Sequence, residues 1–162
     1  MSDQGDVKDI NRILEDIQRQ IAEQERAIYT PTVIEHAYHP RNWGRMDRAD
    51  ARRIWQGPCG DTMEIYLRLD KEGTDKAAIR VISFMTDGCG SSVACGSMLT
   101  TMVQGKTLEQ AGKIQPRDLL IALGGLPQES AHCAFLAVHT LHEAILNWYR
   151  SAHTRSKEPN DG

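Results

Sequence analysis

The sequence is poor in the features that would mark it for export, for a membrane or for nucleic acid. No apolar run approaches the ~20 residues that a bilayer-spanning helix requires. Four cysteines in 162 residues are too few to staple a secreted disulfide scaffold. The opening Met1-Ser2-Asp3-Gln4-Gly5-Asp6 has neither the apolar core of a signal peptide nor the basic, acid-poor character of a transit peptide. Neither sign of charge dominates: the net charge is −3, which argues against a broad phosphate-binding surface. The expectation is a soluble, cytoplasmic protein of a reducing compartment, with no membrane or nucleic-acid partner and with thiols that are free or metal-bound. What is present is an apolar share of 40%, ordinary for a globular protein once the thirteen glycines are added, in a chain long enough for one domain with a real core.

Val7, Ile10, Leu14, Ile17 and Ile21 recur at 3-4-3-4 spacing among charged and amide residues. This predicts an amphipathic helix over about 6–28 with a narrow apolar seam, which either packs on its own domain or forms a coiled-coil-like dimer contact. Thr30-Pro31 predicts a cap and first turn for a second helix ending near Tyr38. His36 and His39 are read as hydrogen-bonded structural residues. Strands are expected over 49–56, 63–69 and 78–85, with a charged turn at 70–75. Short connections make them an antiparallel meander with one face left for helices. Helical patterns follow: Val93, Ala94, Met98, Leu99 and Met102 before Gly105; a short helix with Thr107 and Gln110 in capping-box spacing; one from Pro116 to Gly124. The last is capped by Ser130 and carries a core stripe of Phe135, Val138, Leu141, Ile145 and Trp148. From about Ser151 a polar tail is expected to be disordered. The fold class is therefore α+β: a small three-stranded antiparallel sheet covered by helices on one face, with an extra N-terminal amphipathic helix. The expected divisions are 1–28, 29–150 and 151–162.

Chemistry concentrates in Gly57-Pro58-Cys59-Gly60-Asp61, Asp87-Gly88-Cys89-Gly90 and Ser130-Ala131-His132-Cys133. Thiolate suits zinc and iron–sulfur chemistry, and imidazole suits zinc or iron. Cys89 and Cys133 fall at helix starts, where the partial positive charge favours thiolate. In extended chain Asp61 would share a face with Cys59, as ligand or base. The ligand candidates are Cys59, Asp61, Cys89, His132 and Cys133, a set of about four ligands that only a folded domain can assemble. Cys95, six residues beyond Cys89, is read as packing. His139 and His142 have no evident partner. A nucleophilic Cys133 with His132 as base is disfavoured, since helix neighbours point about 100° apart. A closed structural zinc site is a further reading, although five candidates that include a replaceable aspartate suit an exchangeable one better.

These residues also carry a resemblance. Tyr29, Val33-Ile34-Glu35-His36, Pro40-Arg41-Asn42 with Gly44, Cys59-Gly60-Asp61, Gly88-Cys89-Gly90-Ser91, Gly105-Lys106-Thr107, Gly125-Leu126-Pro127 and His132-Cys133-Ala134 together make the chain similar to the IscU/NifU-type iron–sulfur cluster assembly scaffolds over roughly 29–150. The resemblance implies an α+β fold and a scaffold, not a turnover enzyme. Such a scaffold takes sulfur as persulfide from a pyridoxal-phosphate cysteine desulfurase and iron from an iron donor. It assembles a [2Fe–2S] cluster and passes it to apo iron–sulfur acceptor proteins. It further implies that Cys59, Cys89 and Cys133 ligate the cluster, and that Asp61 or His132 completes the set. Asp61 is linked to cluster lability, Cys133 to receipt of persulfide sulfur, and Tyr29 to a homodimer contact. Zinc can occupy the same ligands. Leu126-Pro127-Gln128-Glu129-Ser130 departs from the family's Leu-Pro-Pro-Val-Lys run, so a dedicated chaperone partner does not carry over. Cys95 stands where relatives commonly have serine. The retained His132, and the lack of a long insertion before Cys133, separate the chain from the SufU branch. That branch supplies the alternative reading, a zinc-bound persulfide acceptor that stimulates a desulfurase. A thiol enzyme using Cys133 is a weaker third.

Overall fold

The computed structural model describes residues 3–70 and 76–155. Helix α1 (Asp3–Ile28) precedes α2 (Pro31–Tyr38), then strands β1 (Ala51–Gln56), β2 (Thr62–Asp70) and β3 (Ala78–Thr86). Helices α3 (Gly90–Val103), α4 (Leu108–Gly112) and α5 (Pro116–Leu123), a 3₁₀ turn (Gln128–Ser130) and α6 (His132–Arg155) complete it. The strands form an antiparallel meander in the order β1-β2-β3, with Trp55 opposite Met63 and Ile65 opposite Phe84. No helix among the described residues is long and apolar enough to cross a membrane. The expected turn lies, from residue 71 on, outside the described residues.

Local chemistry accounts for the helix boundaries. Thr30 Oγ1 accepts from the Val33 N–H at 3.2 Å and donates to the Leu123 carbonyl at 2.6 Å, so the cap of α2 also ties it to the end of α5. Thr107 and Gln110 form the reciprocal capping box that starts α4. Gly124, at φ +77°, closes α5 in the left-handed conformation.

One face of the sheet presents Met63, Ile65, Leu67, Ile82 and Phe84, each fully buried. Helix α6 lies against β1 and β2, and α3 lies against β3. Helix α3 is buried nearly all round, because α2 covers the side that faces away from the sheet. Its small residues make this possible. A Cβ on Gly96 would sit 2.4 Å from the Phe84 ring, so helix and strand are in backbone-close contact there. Cys95 is wholly buried in the same core, as read from its position. Polar groups on α3 anchor the loop after α2. Ser97 Oγ accepts from the Arg41 N–H at 2.9 Å, and Thr100 Oγ1 accepts from Asn42 Nδ2 at 3.1 Å. Buried His36 receives Arg41 at Nε2, 2.8 Å, and donates from Nδ1 to Ser97, 2.7 Å. Burial and then the Arg41 charge lower its pKa, so it stays neutral and structural. His39 only closes α2, its N–H bonded to Glu35.

Four expectations are corrected. Ser130 does not cap α6: it ends the 3₁₀ turn that follows Pro127, and the helix begins at His132. Phe135 is 53% exposed rather than in the core stripe, because Cys133, Leu136, Ala137, Leu141 and Ala144 take the inner face and its ring stacks on His139 instead. The helix runs through Arg155, so the expected disordered tail is helical over 151–155, and 156–162 lie outside the described residues. Strand β2, whose apolar and polar residues alternate as in a half-buried strand, is instead buried on both faces from Met63 to Leu67. On the face without helices, Arg52 of β1 pairs with Glu64 and lies 5.6 Å over the Tyr66 ring, covering both with its stem and guanidinium.

The α3–β3 contact makes a test. Gly96→Ala is expected to lower stability by roughly 1–3 kcal/mol in urea denaturation, because overpacking against Phe84 outweighs the helix-propensity gain of about 1 kcal/mol. Gly112→Ala, where an added methyl meets nothing within 4 Å, is expected to be neutral or stabilising.

Candidate thiol and carboxylate centre

Three element junctions converge at one edge of the molecule. The β1–β2 hairpin turns over Gly57–Asp61: Gly57 N–H donates to the Asp61 carbonyl at 2.8 Å, Gly60 N–H to the Gly57 carbonyl at 3.0 Å, and Gly60 adopts φ +89°. Only glycine takes that φ without strain. The tight turn, and not the extended chain expected, brings Asp61 back beside Cys59. The segment after β3 is laced to the hairpin through Thr62, whose N–H donates to Asp87 Oδ1 at 2.7 Å and whose carbonyl accepts from Thr86 Oγ1 at 2.7 Å. That segment delivers Cys89 as the N-cap residue of α3. Cys133 follows from the first turn of α6, wholly buried, while Cys59 and Cys89 are exposed.

All five ligand candidates meet here, in two overlapping groups. Cys59, Asp61 and His132 have ligand atoms within 4.8 Å of one another, and so do Asp61, Cys89 and Cys133. Asp61 belongs to both. Ser92 is the residue that sequence reasoning missed. Its hydroxyl lies 3.1 Å from Asp61 Oδ2 and 3.3 Å from Cys133 Sγ, so it holds the carboxylate and the buried thiol in register. The signal was available: Ser92 stands three residues beyond Cys89, one helical turn, on the side of α3 that faces the site. Gly88 makes room for this arrangement. A Cβ there would lie 2.6 Å from Ser92 Oγ and 2.8 Å from Asp61 Oδ2.

The two cysteines of helix starts are electrostatically unlike. At Cys89 burial works against the thiolate, but hydrogen bonds from the Ser92 and Ser91 backbone N–H groups, the Ser92 hydroxyl and Cys133 outweigh it and lower the pKa. At Cys133 burial wins. Its pKa is pushed up to about 11, with Ser92 opposing and the charges of Cys89 and Asp61 adding. The expected thiolate at the start of α6 is therefore a thiol in the metal-free protein, since the helix terminus does not repay full desolvation. A second correction concerns its neighbour. His132 Nε2 lies 3.7 Å from Cys133 Sγ, because at the first residue of the helix the ring has no preceding turn to hold it away. His139 stays outside the centre, its ring 4.2 Å from Trp55 and 5.5 Å from Phe135. His142 lies beside the Ile114 backbone. Neither joins the groups around Asp61.

The arrangement can bind a soft or borderline metal through two or three sulfurs, with an oxygen or nitrogen ligand that can be exchanged. Comparison with known proteins agrees with that chemistry. Residues 28–155 match the family model of the NifU-like N-terminal domain. The chain is 39% identical over 124 residues to the iron–sulfur cluster assembly scaffold protein IscU 1 of Archaeoglobus fulgidus, covering 76% of this chain and 78% of that one. It is 31% identical over 146 residues to a Drosophila melanogaster protein named iron–sulfur cluster assembly enzyme IscU, covering 88% and 92%. The crystal structure of the N-terminal part of a NifU-like protein from Brucella abortus superposes with a TM-score of 0.57 over 76% of this chain and 95% of that one. At 17% identity that likeness speaks for the fold alone.

Two outcomes follow from the geometry. In metal-free protein near neutral pH, Cys89 is expected to alkylate far faster than Cys133 and Cys95 in residue-resolved mass spectrometry, and Ser92→Ala should slow Cys89 by shifting its titration upward. Comparable rates at Cys89 and Cys133 would contradict the electrostatics above. Gly88→Ala is expected to weaken zinc binding roughly tenfold or more, the scale on which outer-shell changes act, in a competition titration against a chromophoric chelator.

Proposed function

This chain belongs to the NifU-like N-terminal domain family and is an iron–sulfur cluster assembly scaffold; we propose that Cys59, Cys89 and Cys133 hold the cluster as cargo, with Asp61 or His132 as the remaining ligand. The observation that carries the reading is the gathering of three thiols around a single carboxylate at one edge of the fold. Three sulfurs give affinity for iron. A carboxylate or imidazole in the fourth place binds iron less tightly than thiolate, which suits a cluster that must leave. Two of the thiols are exposed, so donors and acceptors can reach them without unfolding the domain.

The proposed cargo is a [2Fe–2S] cluster, and the proposed partners are a cysteine desulfurase, an iron donor and apo iron–sulfur acceptor proteins. Sulfur would arrive when a chain thiolate attacks the outer sulfur of a donor persulfide. A new S–S bond forms on the chain and the donor cysteine departs as thiolate. The resemblance assigns this to Cys133, whose raised pKa and burial mean that it must first lose its proton and be uncovered. In this reading His132, whose Nε2 lies 3.7 Å from Cys133 Sγ, would take that proton, and Ser92 would stabilise the thiolate that results. Iron binding likewise displaces the thiol protons. The same donor set accommodates zinc, and the zinc-bound persulfide acceptor is the competing outcome.

Anaerobic reconstitution with ferrous iron, cysteine and a desulfurase, followed by absorption spectra and transfer to apo-ferredoxin, tests the proposal. Serine at Cys59, Cys89 or Cys133 should abolish a transferable cluster. Asp61→Ala, at the residue that the resemblance links to cluster lability, should retain it but change the rate of transfer by on the order of tenfold. Retained zinc, no cluster and faster desulfurase turnover would favour the acceptor instead.

A further inference from the structure

The apolar face of helix α1 is left largely uncovered by the described residues. Val7, Ile10, Leu14, Ile17, Ile21 and Ile28 are each 47–59% exposed. The helix is 26 residues long, about 39 Å at 1.5 Å per residue, and among the described elements its main contact is a small one with α2. That contact is confined to its C-terminal end, where Tyr38 donates to Glu25 Oε1 at 2.6 Å. A helix of this length in water draws its stability from packing of its apolar face, and among the described residues most of that face is exposed.

The spacing says what kind of partner fits. Val7, Leu14, Ile21 and Ile28 recur every seven residues, and Ile10 and Ile17 fill the position between, with Gln24 continuing it. A strict seven-residue repeat belongs to a seam against a helix of the same repeat; packing on a sheet would need a wider stripe. No other described helix carries such a repeat. On α6 the exposed apolar residues Phe135, Leu146 and Tyr149 are spaced by eleven and three. The flanks of the seam favour self-pairing as well. Between Asp6 at the start and Glu25 near the end, the flanking Asn11, Ile13, Gln18, Gln20 and Ala27 are uncharged, whereas Lys8, Asp9, Arg12, Glu15, Asp16 and Arg19 lie away from the seam. Two copies can therefore meet along the seam with little like-charge repulsion, and Glu25 is already held by Tyr38.

We propose that α1 pairs with the α1 of a second copy as a short coiled coil, making the protein a homodimer through residues 7–28 independently of any bound metal. The seam spans three heptads, so the interface is at the small end of stable ones and the dimer is concentration-dependent. Its C-terminal end opens onto a cleft of about 350 Å³ lined by Ile21, Ile34 and Tyr38. A neighbouring cleft of about 370 Å³ reaches from Tyr29 and Tyr38 to Gly90, the residue beside Cys89. The coiled coil would thus be joined to the thiol centre through α2.

Sedimentation equilibrium of the full chain, metal-free and under reductant, from micromolar to millimolar protein, reads this directly. The expected result is a monomer–dimer equilibrium that Leu14→Glu with Ile17→Glu weakens roughly a hundredfold or more, since the charges would be buried unpaired. Arg12→Gln, on the outward face, should leave it unchanged. Near-UV circular dichroism of the tryptophans confirms that the domain remains folded in each variant. A chain that stays monomeric throughout, or a double variant that dimerises like the parent, overturns the proposal. Neither result bears on cluster assembly, which is read separately by reconstitution.

Discussion

The contact between α3 and the sheet is the constraint on which the rest of the molecule depends. Gly96 places the helix so near Phe84 that no side chain fits between them, and this sinks α3 into the middle of the protein. A helix buried on every side must satisfy its polar groups internally. Ser97 and Thr100 do so by binding Arg41, His36 and Asn42. The loop after α2 is thereby fixed, and with it the edge of β3, where Asn42 and Gly44 exchange backbone hydrogen bonds with Phe84. The N-terminus of the same helix carries Cys89 and Ser92. The depth of α3 in the core thus sets how precisely the thiol centre is held.

That centre is asymmetric. One side, formed by the hairpin and the cap of α3, is exposed and favours thiolate at Cys89. The other, formed by α6, is buried and favours thiol at Cys133. Asp61 and Ser92 bridge the two. Under the proposed ligand assignment an incoming metal would have to displace the proton that burial keeps on Cys133. Cys95 lies wholly buried in the core nearby. Burial raises its pKa too, and without a hydrogen bond from Ser92 it remains a packing residue.

Much of the fold was legible because periodicity and punctuation agreed. The strands β2 and β3, Thr30-Pro31 before α2, the Thr107–Gln110 pair and Gly124 after α5 all rest on signals that act over a few residues, and the structure carries each of them. Misreadings arose where a local signal was outweighed by packing. Ser130 has the chemistry of a cap, but Pro127 starts a 3₁₀ turn that absorbs it. Phe135 is the largest apolar residue near the start of α6, yet the sheet accepts the smaller Cys133, Leu136 and Ala137, and leaves the phenyl ring to stack on His139. Tyr66 and Glu64 alternate as an outward face should, and are buried because Arg52 reaches across from the next strand.

By itself the sequence determined the elements, their order, the antiparallel meander and the residues able to bind a metal, because these follow from short-range sterics, side-chain period and ligand chemistry. It also determined the seven-residue seam of α1. Only the tertiary structure decided which ligands share Asp61, that Ser92 joins them, that His132 folds back on Cys133, and that Cys133 holds its proton. Apart from the contact between the neighbours His132 and Cys133, those properties come from distances and desolvation between segments such as Asp61, Cys89, Ser92 and Cys133 that lie far apart in the chain, and no local pattern encodes how deeply a group reached from so far away is buried.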